Sequence, residues 1–394
     1  MSKKSRSRLW FLVHSWLALP IWFFLLIICV TGTLATVSQE IVWLANPDVR
    51  ASKPSADAER LDYGQILQAV QTEEPSLAVL GLSRPQEDHF ALTVQVAYPD
   101  ATTATLYVNP YSGVIQGVSP LFDFRQFTRA LHGWWLAPWT DGYSWGWYLV
   151  CSLGPLMLAS LITGLVVYKR FWRAFFKPRL RMNQGARVFW GDFHRLSGIW
   201  SIWFIAIISV TGTWFLLQAI LSDFDIPYVQ SRPPAVIQRD AVATTAGQAP
   251  PTLGLDEITR IAQARVPGFE PSFIRLPESA YGPVTIGGRG WYPLMNQTLS
   301  ISPYDGSIVG TNLLDGRPAL SFVTESMYPL HFGDFGGLWL KLVWFLFGLL
   351  LTFMVLSGLL IWSKRTVKAT AKQMRRPPRA ARRVSLETAV EETP

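Results

Sequence analysis

The sequence predicts a membrane protein with four transmembrane helices that arose by internal duplication, together with two outer domains of mixed α and β structure. Three observations indicate this. Charged residues make up only 16% of the 394-residue chain, against about 25% in ordinary soluble proteins. Four apolar stretches reach the roughly 20 residues that cross a bilayer. Residue identities also recur between the two halves at a nearly constant offset. Together they argue against a disordered chain and an ordinary cytosolic protein.

The four apolar stretches are predicted as transmembrane helices at residues 9–37, 147–168, 196–221 and 338–362. Three basic runs abut them, at residues 1–9, 169–187 and 363–383, and hold 20 of the 35 Lys and Arg residues with no Asp or Glu. By the positive-inside rule these runs are cytoplasmic. This gives a cytoplasmic N-terminus (1–8), a basic loop (169–195) and a basic tail (363–394), with the segments 38–146 and 222–337 outside. Because each basic run is adjacent to a span, we expect these runs to face a lipid bilayer, with no nucleic acid as partner.

The duplication rests on identical residues at matching positions. Trp10, His14, Val30, Thr31, Gly32 and Thr33 recur 180 residues later as Trp190, His194, Val210, Thr211, Gly212 and Thr213. The outer segments share a Pro-Tyr-x-Gly turn, at Pro110 and again at Pro303. Thr163-Gly164-Leu165 resembles Ser357-Gly358-Leu359. Each half is therefore predicted to run helix, outer domain, histidine, helix.

The outer segments are predicted to be α+β. Helical spacing covers Tyr63 to Glu73, and alternating apolar residues from Phe90 to Tyr98 indicate a half-buried strand. The second segment repeats this with a helix from Asp256 to Ala264 and strands near residues 272–276, 284–286 and 298–301. A stretch rich in Pro, Ala and Thr between Arg232 and Gly254 is typical of a linker.

Four of the five histidines occupy repeat-related places beside the predicted spans. His14 and His194 lie at the cytoplasmic ends of the first and third spans, and His132 and His331 precede the second and fourth on the outer side. Ionisable residues at spans are functional candidates. Neutral imidazole binds zinc, copper or iron, but zinc and copper usually take further Cys, Asp or Glu ligands. A haem needs only two axial imidazoles and an apolar slot.

We therefore expect two b-type haems, one held by His14 and His194 and the other by His132 and His331. Eighteen residues separate His14 from Gly32, or about 27 Å of helix, so we expect the haems at opposite faces of the bilayer. Two axial imidazoles leave iron no open position, which favours electron transfer over oxygen chemistry.

Other residues near these histidines are candidate haem contacts. Arg8, Arg187 and Arg195 are cations available to haem propionates on the inside, and Arg129 is available on the outside. Trp134 and Trp135 are predicted to belong either to an interfacial aromatic belt or to a platform where an electron acceptor docks. Thr31-Gly32 and Thr211-Gly212 are expected to be small-residue helix contacts, with hydroxyl contacts to a cofactor as the alternative.

The chain contains no nicotinamide fingerprint, P-loop or flavin motif. We therefore expect its electrons to come from a quinol or from a separate reductase.

These motifs resemble those of the PepSY-associated transmembrane family. The pattern is a histidine that opens the first span, a Thr-Gly pair near its far end, and a second start of the form His-Arg-x-x-Gly. Here these are His14, Thr31-Gly32 and His194-Arg195-Leu196-Ser197-Gly198. Family members often have His-Arg in the first span, whereas this chain has His14-Ser15 and so lacks a first-half equivalent of Arg195.

The resemblance implies an inner-membrane protein with two PepSY-like domains outside. Within the family the chain is most similar to ferric-siderophore reductases, the ferrioxamine type especially. This implies two haems that reduce a ferric siderophore, of hydroxamate type, in the periplasm and release Fe(II) for iron uptake. Two alternatives stay open. The first is a regulator without enzymatic activity, whose PepSY-like domains bind a peptidase or another partner. The second is a transporter that uses the histidines as proton carriers.

Overall fold

A computed structural model describes residues 3–168, 171–228, 235–242 and 250–374. The helices are α1 Lys3–Ala18, α2 Trp22–Thr36, α3 Ser38–Ala45, α4 Tyr63–Glu73, α5 Phe124–Trp134, α6 Trp145–Val167, α7 Phe171–Phe176, α8 Ala186–Trp200, α9 Ile202–Asp223, α10 Leu255–Arg265, α11 Ala319–Phe332 and α12 Gly337–Met374. The strands are β1 Ala78–Ser83, β2 Leu92–Ala97, β3 Thr103–Val108, β4 Ile115–Val118, β5 Glu270–Arg275, β6 Val284–Arg289, β7 Asn296–Ile301 and β8 Ile308–Asn312. Parts of the predicted linker (232–254), basic loop (169–195) and basic tail (363–394) lie outside the described residues.

Three helices in the described part of the chain are long and apolar enough to cross a membrane: α6, α9 and the Gly337–Ile361 part of α12. The predicted first span is instead a bent pair of helices, α1 and α2, whose axes differ by 64°. Pro20 lies in the break, where its missing N–H and its ring disfavour a continuous helix. If the bent pair counts as one span, the chain has four candidates.

The two outer segments share one antiparallel sheet of eight strands, in the order β4-β3-β2-β1-β5-β6-β7-β8. Each half contributes four strands, and they join where Gly81–Ser83 of β1 pairs with Phe273–Arg275 of β5. Without this pairing β1 and β5 would each leave an edge of unpaired backbone groups. The structure therefore has one continuous sheet where the sequence predicts two separate domains.

The halves repeat in detail within this sheet. Leu61 donates its backbone N–H to Pro110 O at 2.8 Å, and Leu253 donates to Pro303 O at 2.7 Å. The glycine of each Pro-Tyr-x-Gly turn adopts a left-handed backbone, with φ of 75° at Gly113. Helices α4 and α10 contribute to one core with the strands, in which Ile66 and Ile258 are fully buried. Helix α4 has the predicted bounds, and α10 extends the predicted helix by one residue at each end.

A candidate site built from two imidazole pairs

The four repeat-related histidines meet in two pairs. The rings of His14 and His194 are 6.5 Å apart between centroids, and those of His132 and His331 are 6.1 Å apart. An imidazole–metal bond is about 2 Å long, so two imidazoles that bind one metal from opposite sides lie about 6 Å apart, centroid to centroid. Both pairs thus have the spacing of axial ligands to a single metal atom.

Each histidine has its Nδ1 atom within hydrogen-bond distance of a neighbouring span. His14 Nδ1 lies 3.0 Å from Ser160 O, and His194 Nδ1 lies 3.0 Å from Met354 O. His132 Nδ1 lies 3.0 Å from Ile28 O. A carbonyl oxygen can accept a hydrogen bond but cannot donate one, so Nδ1 of each of these three rings must carry a proton. Their Nε2 lone pairs are left for a ligand, the arrangement that metal-binding histidines favour.

A hydroxyl accompanies each imidazole. Thr211 Oγ1 lies 2.7 Å from His331 Nδ1. The other contacts are Thr163 Oγ1 with His14 at 3.1 Å, Ser357 Oγ with His194 at 3.2 Å and Thr31 Oγ1 with His132 at 3.4 Å. Each hydroxyl donates its own proton back to its helix, as Thr211 does to Ile207 O at 2.7 Å. The hydroxyls are therefore free to accept from the imidazoles.

The residue after each hydroxyl is a glycine, and three of these glycines lie directly under an imidazole. A Cβ atom added at Gly32 would stand 2.6 Å from His132 Cε1. At Gly164 and Gly358 the added atom would stand 3.3 Å from the Cε1 atoms of His14 and His194. At the fourth, Gly212, the nearest atom is Gly154 Cα at 3.5 Å. The Thr-Gly and Ser-Gly pairs thus form seats for the histidines, and the predicted role as a helix contact fits Gly212.

The two pairs are closer together than the sequence predicts. Gly154 of α6 packs against the backbone of Gly212, beside the seat of His331, and nine residues later Thr163 of α6 seats His14. Nine residues correspond to about 14 Å of helix, half the expected 27 Å. The bend between α1 and α2 contributes to the difference, because spacing along a bent chain overestimates distance across the membrane.

The pair of His132 and His331, here called the outer pair after its predicted side, therefore lies near the middle of its span. Thr211, which contacts His331, is twelve residues short of the C-terminal end of α9 at Asp223, or about 18 Å.

The candidate cations fall into two groups. Arg129 lines the same cavity as His132 and His331, and its guanidinium lies 5.1 Å from the centre of the Phe332 ring. Arg195 is instead bound to the buried carboxylate of Asp192, which also accepts from Arg181 Nε at 2.7 Å. These arginines hold the pKa of Asp192 well below its usual range, chiefly through the hydrogen bonds of Arg181. Arg8 and Arg187 are exposed on α1 and α8.

The two tryptophans of the predicted aromatic platform have different surroundings in the structure. Trp134 lines the cavity and contacts Trp139, with ring centroids 5.8 Å apart. The Trp139 ring contacts Trp147, and Trp147 contacts Phe215. The Phe215 ring centroid lies 5.2 Å from that of His331. Trp135 has a left-handed backbone and packs against Phe24 of α2, 4.9 Å away. Trp134 is therefore placed near the outer pair, whereas Trp135 belongs to the packing of the first span.

Sequence reasoning found the four histidines but not the residues that seat them. The signal was present, because each of the four predicted spans carries a hydroxyl-glycine pair and four histidines need a partner. The third span carries two such pairs, Ser197-Gly198 and Thr211-Gly212. Thr163-Gly164 and Ser357-Gly358 were visible as repeat matches. Only the structure shows that each contacts an imidazole.

Comparison with known proteins places the chain in a family. The model of the PepSY-associated TM region matches residues 11–365, so the chain belongs to this family. It is also similar to an uncharacterized protein of Pseudomonas aeruginosa, with 25% identity over 248 residues. The match covers 58% of this chain and about six-tenths (62%) of the length of that curated relative.

Proposed function

We propose that this chain is a di-haem reductase of the bacterial inner membrane that passes electrons outward to a periplasmic ferric siderophore, releasing Fe(II) for uptake. One observation carries the proposal. Four imidazoles form two pairs, with ring centroids 6.5 Å apart in one pair and 6.1 Å apart in the other. Each Nδ1 lies beside an oxygen atom of a neighbouring span. Two pairs at different depths are what electron transfer across insulating lipid requires.

The residues favour haem over a metal ion bound by protein alone. No group of three or more His, Cys, Asp or Glu side chains converges within the described residues. The chain therefore offers each metal two imidazoles, and a porphyrin would supply the remaining four nitrogens. When bound, a b-type haem would supply an Fe(III)/Fe(II) couple, tuned by the hydrogen bonds of its axial ligands. The seats fix the direction of each imidazole, and Arg129 is the cation proposed for the outer propionates.

The same proposal covers the topology. The bent pair α1–α2 acts as one span, which gives four spans with both termini in the cytoplasm, and each half of the sheet is one PepSY-like domain. The basic runs face the cytoplasmic leaflet. Because the sequence has no nicotinamide or flavin motif, a quinol or a separate reductase supplies the electrons. Hydroxamates hold Fe(III) far more tightly than Fe(II), so one electron loosens the iron.

Haem content per polypeptide tests this proposal. Purified protein should be red, and pyridine haemochrome analysis should give two haems per chain. His132→Ala and His331→Ala should each lower that to about one and leave the inner pair's spectrum intact. His89→Ala is the matched control, because the fifth histidine lies outside both pairs and should keep both haems. A colourless wild-type protein would refute the proposal and favour a PepSY regulator.

A further inference from the structure

The short helix α7 lies just beyond the end of a span and exposes its aromatic side chains. Helix α6 ends at Val167, and α7 begins at Phe171, four residues later. None of the six residues of α7 is buried. Trp172, Phe175 and Phe176 are 66%, 45% and 76% exposed. A cluster of exposed apolar residues of this kind marks a surface that contacts a partner or a membrane.

The aromatic and the basic residues of this segment lie on different faces. Trp172, Phe175 and Phe176 have the i, i+3, i+4 spacing that places side chains on one face of a helix. Arg173 and Lys177 are four residues apart and share another face. Helix α7 packs against α8 with neither of these faces buried. The segment is therefore amphipathic, and both its apolar and its basic face are open.

The charge around α7 has a single sign. Residues 171–187 contain five Lys and Arg residues and no Asp or Glu. Arg181 binds the buried carboxylate of Asp192 through Nε at 2.7 Å and Nη2 at 2.8 Å, which fixes the segment against α8. Arg173, Lys177 and Arg179 are exposed, and they form no ion pair within the described part of the chain. Three cations thus accompany the aromatic face without an anion of the described chain to neutralise them.

The length of α6 sets the depth of α7 in the membrane. Its 23 residues correspond to about 34 Å of helix, and the hydrocarbon core of a bilayer is about 30 Å thick. The end of α6 therefore reaches the lipid headgroups, and α7 begins at that level. Aromatic rings on one face and Lys or Arg on another are typical of helices that lie in this interface.

We infer that α7 and the residues after it form a binding surface for anionic lipids. Trp172, Phe175 and Phe176 insert between the lipids of the leaflet that α7 faces. Arg173, Lys177 and Arg179 bind the lipid phosphates. The inference rests on the proposed function only for its topology, which makes this leaflet the cytoplasmic one, and it does not require haem.

Lipid binding is tested on the full chain in detergent, with a fluorescent label on α7. Phe176→Cys provides the attachment site, because the two native cysteines, Cys29 and Cys151, are buried. An environment-sensitive label at this position reports on α7 and not on the other basic runs. Short-chain phosphatidylglycerol should give a saturable rise in fluorescence, and short-chain phosphatidylcholine a much weaker one.

Two double variants of the labelled protein test the role of the cations. Arg173→Gln/Lys177→Gln should weaken phosphatidylglycerol binding about thirtyfold, since each cation near an anionic surface contributes about fivefold. Arg265→Gln/Arg275→Gln is the matched control, because it removes the same charge from exposed arginines of α10 and β5 and should leave binding unchanged. Thermal unfolding of each variant checks that it is folded.

Insertion is tested in phosphatidylglycerol vesicles with iodide on both sides. The label at position 176 should be shielded from iodide and quenched by doxyl-labelled lipids. A label at Asn183→Cys, which is also exposed but lies beyond α7, should stay open to iodide. Equal iodide access at the two positions would overturn the inference and leave the face for a protein partner. Unchanged phosphatidylglycerol binding in the folded Arg173→Gln/Lys177→Gln variant would overturn it as well.

Haem content measured on the same samples separates this inference from the proposed function. A red protein whose label is open to iodide would refute the lipid contact alone. A colourless protein whose label is shielded and responds to phosphatidylglycerol would support the lipid contact and refute the di-haem reductase.

Discussion

Replacing Gly32 by alanine is expected to remove the haem proposed for the outer pair and leave the fold intact. The added Cβ would stand 2.6 Å from His132 Cε1 and 3.0 Å from its Nδ1 atom, whereas ordinary contact begins at 3.4 Å. The ring must therefore retreat by about 0.8 Å, the difference between 3.4 and 2.6 Å. Metal–ligand distances tolerate only about 0.2 Å, and the hydrogen bond to Ile28 O would lengthen as well.

The same substitution should not unfold the apoprotein. Alanine is more favourable than glycine inside a helix by about 1 kcal/mol. The three nearest atoms to the new Cβ all belong to the His132 imidazole, so the position of that ring opposes the gain. Loss of haem without loss of thermal stability would therefore identify Gly32 as part of a cofactor seat.

The other helical glycines provide a graded series for the assay. At Gly164 and Gly358 the added Cβ would stand 3.3 Å from the imidazole, so these alanine variants should keep two haems with a small shift of the Soret band. At Gly191 of α8 no atom of the described residues outside the helix's own backbone lies within 4 Å of the added Cβ, so Gly191→Ala should match the wild type. Pyridine haemochrome analysis should then give one haem per chain for the Gly32 variant and two for the Gly164, Gly358 and Gly191 variants. Two haems in the Gly32 variant, or equal losses of haem in all four variants, would refute the role of Gly32 in seating His132.

Two further predictions concern single side chains. Thr211→Val removes the hydroxyl that accepts from His331, so outer-haem affinity should fall about 10–100-fold and the midpoint potential should rise. Thr211→Ser should restore both. Thr213→Val loses a hydroxyl that, among the described residues, is bonded to Ser209 O of its own helix, and it should change neither. Lys341→Met leaves the carboxylates of Glu40 and Glu87, whose side chains are 17% and 13% exposed, without the ammonium group that they share. It should lower the free energy of unfolding by less than the roughly 3–5 kcal/mol lost when a fully buried pair is broken. A smaller loss in the Lys341→Met/Glu87→Gln double variant would support this, and an unchanged melting temperature in the single variant would contradict it.

The sequence predicts local elements well where one physical pattern dominates. Helix α4 has the predicted bounds, Tyr63 to Glu73, because helical spacing coincides with a capping box between Asp62 and Gln65. Strand β2 lies inside the predicted Phe90–Tyr98 stretch for the same kind of reason, since its inward residues alternate. Strand β1 does not alternate in this way, and neither it nor its pairing with β5 was predicted.

The bent first span was predictable in principle. Pro20 lies between α1 and α2, and the equivalent place 180 residues later, Trp200, is where α8 ends. Apolar length alone predicts one straight helix over residues 9–37, and hence histidine pairs about 27 Å apart. The error lies in converting spacing along the chain into depth, and it does not affect which histidines meet.

The way the halves share the sites follows from the duplication. Each seat lies in the same half as its histidine, as Thr163 does for His14 and Ser357 for His194. Each pair, however, takes one imidazole from each half. A single half therefore carries two seated imidazoles but no complete pair, and it also leaves β1 or β5 as an open edge. The association of the two halves joins their strands into one sheet and completes both imidazole pairs. The ancestral unit could therefore have formed these sites only as a dimer.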